Sequence, residues 1–245
     1  MSFRTWLNQL RDVRGRHRPL WPELLGAALD AQFQVQRAES VFYAGDVFID
    51  RDNHPLAEGD REERLVAQLY RSALAADGCL QLGSQRVWLL GFQWPTQGGF
   101  REKGRRADLV GMTTDGGLVV YEAKRAIGDA PLIALTEGLD YLACLYRTGN
   151  FEDIRTGFIQ WIATRPYAIP KGFAGVSPDP SVRPTLVILA PETYFTGRHA
   201  RSIRGRDWPA WAAVGESFIP SVCVRVAATD FRSTDLWIPP VPAGR

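Results

Sequence analysis

The chain has 245 residues, 45% hydrophobic and 23% charged, which is ordinary globular composition and enough to bury a core without disulfide or metal staples. A formal net charge of +2 excludes a global positive field for capturing nucleic acid, so any polyanion binding has to come from local patches. Cys79, Cys144 and Cys223 are too scattered for a zinc site or a disulfide framework, and they read as small apolar residues of a reducing compartment.

The opening residues lack the apolar stretch of a signal peptide, and no run approaches the roughly 18 apolar residues of a membrane span. A cytoplasmic chain with no membrane association is expected. Segment 1–18 is basic, with Arg4, Arg11, Arg14, Arg16, Arg18 and His17 against Asp12. Residues 20–37 read as a helix carrying Leu24, Leu25, Ala28, Leu29 and Phe33 on one side. Residues 41–50 are aromatic and β-branched, as in a strand or hairpin, and 51–55 form a connection. Together, 1–57 make an N-terminal extension of unassigned role.

A stronger helix follows, capped by Asp60 with Glu63 three residues later and ending at Gly78. Its apolar face is Leu65, Val66, Leu69, Ala73 and Ala76. Residues 87–94 form an apolar run of strand length closed by Pro95, and the glycines and charges of 98–106 form a link. Two further strands, 107–112 and 118–124, flank Thr114-Asp115-Gly116-Gly117, a hairpin signal. Pro131 opens a long apolar helix expected to stop at Gly149, with a further helix over 151–164. A Pro- and Gly-rich loop spans 165–184, and 185–190 is a wholly apolar strand. A basic loop (197–206), a short helix (208–214) and a last strand (222–228) complete the domain. It is bounded at 58–232, a proline-rich tail occupies 233–245, and residues 238–245 of it are expected to be unpacked. The expected fold is α/β, a mixed central sheet flanked by helices.

Chemistry concentrates in the hairpin. Glu122 and Lys124 project from one face of their strand with Leu118 and Val120, while Val119, Tyr121 and Ala123 fill the other. Both faces are apolar apart from the two charges, the pattern of an interior strand, where an unpaired charge is costly. A three-residue loop of Asp115-Gly116-Gly117, with Gly117 left-handed, sets Thr114 opposite Leu118, Val110 opposite Glu122 and Asp108 opposite Lys124. Both carboxylates and the lysine then share one face, within reach of a common hard cation. Two carboxylates, a cation and a lysine able to orient or deprotonate water are the parts that phosphodiester hydrolysis requires.

Asp108 on one strand and Glu122-Ala123-Lys124 on the next resemble the PD-(D/E)XK nuclease superfamily, over roughly residues 58–190. Ala107 stands where the family usually has proline. The resemblance implies a restriction-endonuclease-like core and a Mg²⁺- or Mn²⁺-dependent nuclease, with DNA as the expected substrate. In that reading Asp108, Glu122 and the backbone carbonyl of Ala123 ligate the cation, and Lys124 activates or positions water. Family members often add a glutamate from the preceding helix. Glu62, with Leu65, Val66 and Leu69 at i+3, i+4 and i+7, is favoured for it, and Glu63 is better placed for capping. They also often carry Gln and Tyr one turn apart on the following helix, where this chain has Glu137 and Tyr141.

Arg105, Arg106, Arg198, Arg201 and Arg204 are candidates to meet phosphate. The flanking segments are candidates to read DNA, form a homodimer or dock a partner. His17, His54 and His199 are too dispersed for a metal cluster, and no GxxxxGK[ST] sequence encodes an ATP-driven motor.

Overall fold

Apolar residues at alternating strand positions build one mixed sheet with helices on both faces. A computed structural model describes residues 21–38, 61–96, 106–127, 131–164, 168–196 and 219–239. In chain order these form α1 (Trp21–Ala38), α2 (Arg61–Ala76), β1 (Cys79–Leu82), β2 (Gln85–Pro95), β3 (Arg106–Thr113) and β4 (Leu118–Ala123). They continue with α3 (Pro131–Leu145), α4 (Thr148–Thr164), β5 (Thr185–Ala190), α5 (Glu192–Thr196), β6 (Cys223–Ala228) and β7 (Asp235–Leu236). The sheet has seven strands in the order β6-β5-β4-β3-β2-β1-β7. Neighbours from β1 to β4 run antiparallel, whereas β4–β5, β5–β6 and β1–β7 are parallel.

The period of two along each strand sorts the core into two layers. Val110, Met112, Leu118, Val120, Leu186 and Ile188 face α1, α3 and α4, meeting Leu29, Phe33, Leu135, Leu139 and Phe158. Leu109, Val119, Tyr121, Val187 and Leu189 face α2, against Val66, Leu69, Tyr70 and Ala73. β4 is therefore central, with every residue buried, as its two apolar faces require. Among the described residues no helix is long and apolar enough to cross a membrane.

The β3–β4 hairpin differs from expectation in register. Its loop has three residues, but they are Thr114, Asp115 and Gly116. The Thr113 N–H donates to the Gly117 carbonyl at 2.9 Å, and the Gly116 N–H donates to the Thr113 carbonyl at 3.0 Å. Gly116, not Gly117, is left-handed (φ 91°). Gly117 is needed for space instead, since a Cβ there would lie 2.7 Å from Val182 Cγ1. Met112 consequently pairs with Leu118 and Val110 with Val120. Each partner moves by two positions, which preserves the facing of every side chain.

Three other boundaries move. The long helix stops at Leu145, and Gly149 falls in the first turn of α4. Asn150 donates from Nδ2 at 2.7 Å to the Cys144 carbonyl, which also accepts the Arg147 N–H at 3.4 Å, closing the end of α3. β1 was not expected. The segment set apart from the domain as a tail supplies β7, whose Leu236 is buried beside β1, and Trp237 bridges Ala228. The helix of the N-terminal extension, α1, packs Leu25, Leu29 and Phe33 into the main core. The strand at 41–50, the loop at 197–206 and the helix at 208–214 lie outside the described residues.

Candidate functional site

β4 carries its charges at its C-terminal end, where the β3–β4 ladder stops. The last paired rung is Leu109 with Tyr121. By antiparallel alternation the next hydrogen-bonded rung would join Ala107 to Ala123. The Asp108 side chain intervenes instead: its Oδ2 accepts the Ala123 N–H at 2.8 Å. Because N–H and C=O of one strand residue point the same way, the Ala123 carbonyl also faces β3, while the Lys124 N–H donates to Leu189 of β5 at 2.8 Å.

Lys124 and Glu122 lie deep, with side chains 7% and 4% exposed, and their ammonium and carboxylate are hydrogen-bonded. Two glutamates from opposite faces of the sheet join them. Glu137 Oε2, on α3, accepts from Lys124 Nζ at 3.3 Å. Glu62, in the first turn of α2, reaches round the strand end, its Oε1 3.7 Å from Lys124 Nζ. Its Oε2 accepts the Arg125 N–H at 3.1 Å. Glu62 was the helix glutamate favoured from sequence, and the structure brings it to the cluster. Glu63, in the same turn, is partly buried.

Electrostatics follow from burial. Desolvation pushes the Asp108 carboxyl up to about 7, against the pull of Lys124 and the Ala123 N–H, with Glu62 adding to the rise. Desolvation, then the charge of Asp108, also raises Glu122 well above the usual carboxylate range, and Lys124 offsets only part of it. For Lys124, burial acts to lower the pKa, but Glu122, Glu62, Glu137 and Asp108 outweigh it and hold the amine protonated. The Tyr141 hydroxyl, one turn beyond Glu137, is pushed up by burial and then by Glu122, Asp108 and Glu137.

One member was missed from sequence. Gln93 of β2 donates from Nε2 to Asp108 Oδ1 at 2.9 Å. Its signal was its isolation, the one amide inside the otherwise apolar stretch 87–94. A β-bulge between Leu89 and Gly91 brings it opposite Asp108, between the Phe92–Leu109 and Trp94–Ala107 pairs. Arg106 opens β3, paired with Pro95 and partly exposed. Arg105, Arg198, Arg201 and Arg204 lie outside the described residues.

Three glutamates thus surround one ammonium, with the Asp108 carboxyl close enough to act on it through its charge. The donors are all oxygen, with no thiolate or imidazole, which suits a hard cation such as Mg²⁺ or Mn²⁺. Among the described residues no three acid, histidine or cysteine side chains are already gathered as a cation cage. Lys124 holds the centre. The donor chemistry fits a divalent ion, and the charge of the cluster is only partly offset by its lysine. No family model matches the chain, and neither does any curated protein or solved structure.

Proposed function

We propose that the protein is a Mg²⁺- or Mn²⁺-dependent nuclease with a restriction-endonuclease-like core of the PD-(D/E)XK type, acting on DNA. The observation that carries this reading is the convergence of Asp108, Glu122 and Lys124 at one strand end, with Glu62 added from the preceding helix. A purely structural ion pair has no need of three glutamates around one lysine with a buried aspartate beside them, since burying each charge is costly.

In this reading Asp108, Glu122 and the Ala123 carbonyl would hold the cation. When bound, it would supply Lewis-acid polarisation of the phosphate and a lowered pKa for attacking water. Lys124, held as an ammonium, orients water by donation and offsets charge that develops on phosphate oxygens. Glu137 and Glu62 fix the direction of that ammonium. Glu137 stands where relatives of this type carry glutamine, so the cluster is more anionic than the pattern requires. DNA as substrate rests on the sequence resemblance; the residues themselves specify phosphoester chemistry.

A second reading, a binding or assembly protein that retains the fold without turnover, draws on one observation: Lys124 already occupies the centre of the acids. The deciding experiment is cleavage of linear and circular DNA with Mg²⁺ or Mn²⁺ by wild type, Asp108→Ala and Lys124→Ala. Cation-dependent cleavage lost in both variants supports the nuclease, and nicking of the circle reports endonuclease action. No cleavage together with no cation binding in calorimetry favours the assembly protein. Equal cleavage by all three proteins refutes the site.

A further inference from the structure

Gln93 has a left-handed backbone, φ 49°, inside β2 two residues before its end, and it is one of two non-glycine residues with positive φ among those described. A residue with a long side chain is disfavoured there, whereas glycine and asparagine adopt it readily. Stability alone would therefore select Gly or Asn. The side chain that the strained backbone carries makes one polar contact, Nε2 to Asp108 Oδ1 at 2.9 Å. The bulge beside Leu90 shifts the β2–β3 register and brings this amide opposite the acid. Strain, bulge and amide converge on a single carboxylate.

We propose that Gln93 is a positioning residue for the cation site, fixing the plane of the Asp108 carboxylate. This rests on the reading of the cluster as a cation centre. One carboxylate oxygen is tied to the Ala123 N–H and the other to Gln93 Nε2, so neither rotation about the Cβ–Cγ bond nor a change of rotamer is free. Each oxygen keeps a further lone pair for the cation. Without the amide, Asp108 would pivot on the single Ala123 bond, and the geometry Mg²⁺ demands would be met only part of the time.

The test separates positioning from mere packing. Gln93→Asn keeps an amide and suits the left-handed backbone, but it is shorter by about 1.5 Å and cannot reach Asp108. Gln93→Gly relieves the backbone and removes the amide altogether. Binding of Mg²⁺ and Mn²⁺ to the full-length protein is measured by calorimetry, and melting without cation by circular dichroism. Expected are about tenfold or greater losses of Mg²⁺ affinity in both variants, with cation-free melting within about 3 °C of wild type. Wild-type affinity in both variants overturns the role of Gln93 and leaves the cation site standing. A fall in melting temperature beyond that range in both variants assigns Gln93 to packing and also overturns it. Absence of cation binding in wild type sinks the cation centre and this role together.

Discussion

Replacing Lys124 by methionine tests whether the charges of the cluster are what the fold tolerates least. The substitution keeps the aliphatic stem and removes the ammonium from Glu122, whose side chain is 4% exposed. Breaking a buried pair from one side costs about 3–5 kcal/mol when the remaining charge stays ionised. Glu122 has an escape, because it can take up a proton. At pH 7 that protonation costs about 3.7 kcal/mol relative to an unfolded glutamate, and near pH 5 only about 1. Glu122 is already raised by burial and by Asp108, and losing Lys124 raises it further. Between the two folded pKa values the variant binds the extra proton and wild type does not. The loss of stability should therefore grow with pH, by up to about 1.4 kcal/mol per unit. Urea denaturation of both proteins at pH 5, 7 and 8.5, without divalent cation, reads the effect directly. A loss that is flat across pH, or larger in acid, would refute the argument that Glu122 is a charge buried against Lys124.

Other consequences can be checked alongside. Burial raises Asp108 to about 7, above its unfolded value, so the cation-free fold is favoured with the acid protonated. Its stability should fall as pH rises between about 4 and 7, and Asp108→Asn should flatten that slope in thermal melts. A Cβ on Gly138 of α3 would lie 2.3 Å from Leu186 Cδ1 on β5, so Gly138→Ala should cost about 1–3 kcal/mol in urea denaturation by lifting α3 off the sheet. At Gly116, φ 91° and a Cβ 2.5 Å from the Ser177 carbonyl oxygen both oppose a side chain, and Gly116→Ala should cost at least about 1 kcal/mol in the same assay. Glu62→Gln should lower the rate of Mg²⁺-dependent DNA cleavage by roughly tenfold or more while the fold persists by circular dichroism; unchanged turnover would remove Glu62 from the site.

The heart of the cluster was legible because β4 breaks a simple rule. Two charges in a strand apolar on both faces have few destinations except a paired, functional interior. The facing of Asp108 survived an error in register, since a shift of two leaves parity intact. What sequence did not reveal was set by tertiary contacts. β1 is four residues long, too short for alternation to register. The end of α3 is fixed by Tyr146 and Asn150: the Tyr146 hydroxyl accepts the Leu118 N–H at 3.0 Å, and the Asn150 amide reaches back to Cys144. No local pattern announces such partners, and Gly149 was the stronger local stop signal. β7 is held by pairing with a strand more than a hundred residues earlier. Gln93 was passed over although it is the lone amide in its run, and its partner depends on a bulge that no periodicity displays.

Three exceptions to local rules gather in one place. Asp108 interrupts a ladder that backbone groups alone would have continued through Ala107. Glu122 and Lys124 are buried as charges at the C-terminal end of β4, at a cost in desolvation. Gln93 holds a backbone conformation that glycine would adopt more readily. Each feature taken singly destabilises the fold, by amounts on the order of 1–3 kcal/mol. Elsewhere the chain mostly follows its rules: apolar strands are buried on both faces, and left-handed turns carry glycine at Gly78, Gly83 and Gly116, with Phe231 (φ 59°) the exception among the described residues. Strain scattered at random would be noise. Local costs that converge from β2, β3 and β4 on one carboxylate cluster are what the proposed cation centre would account for.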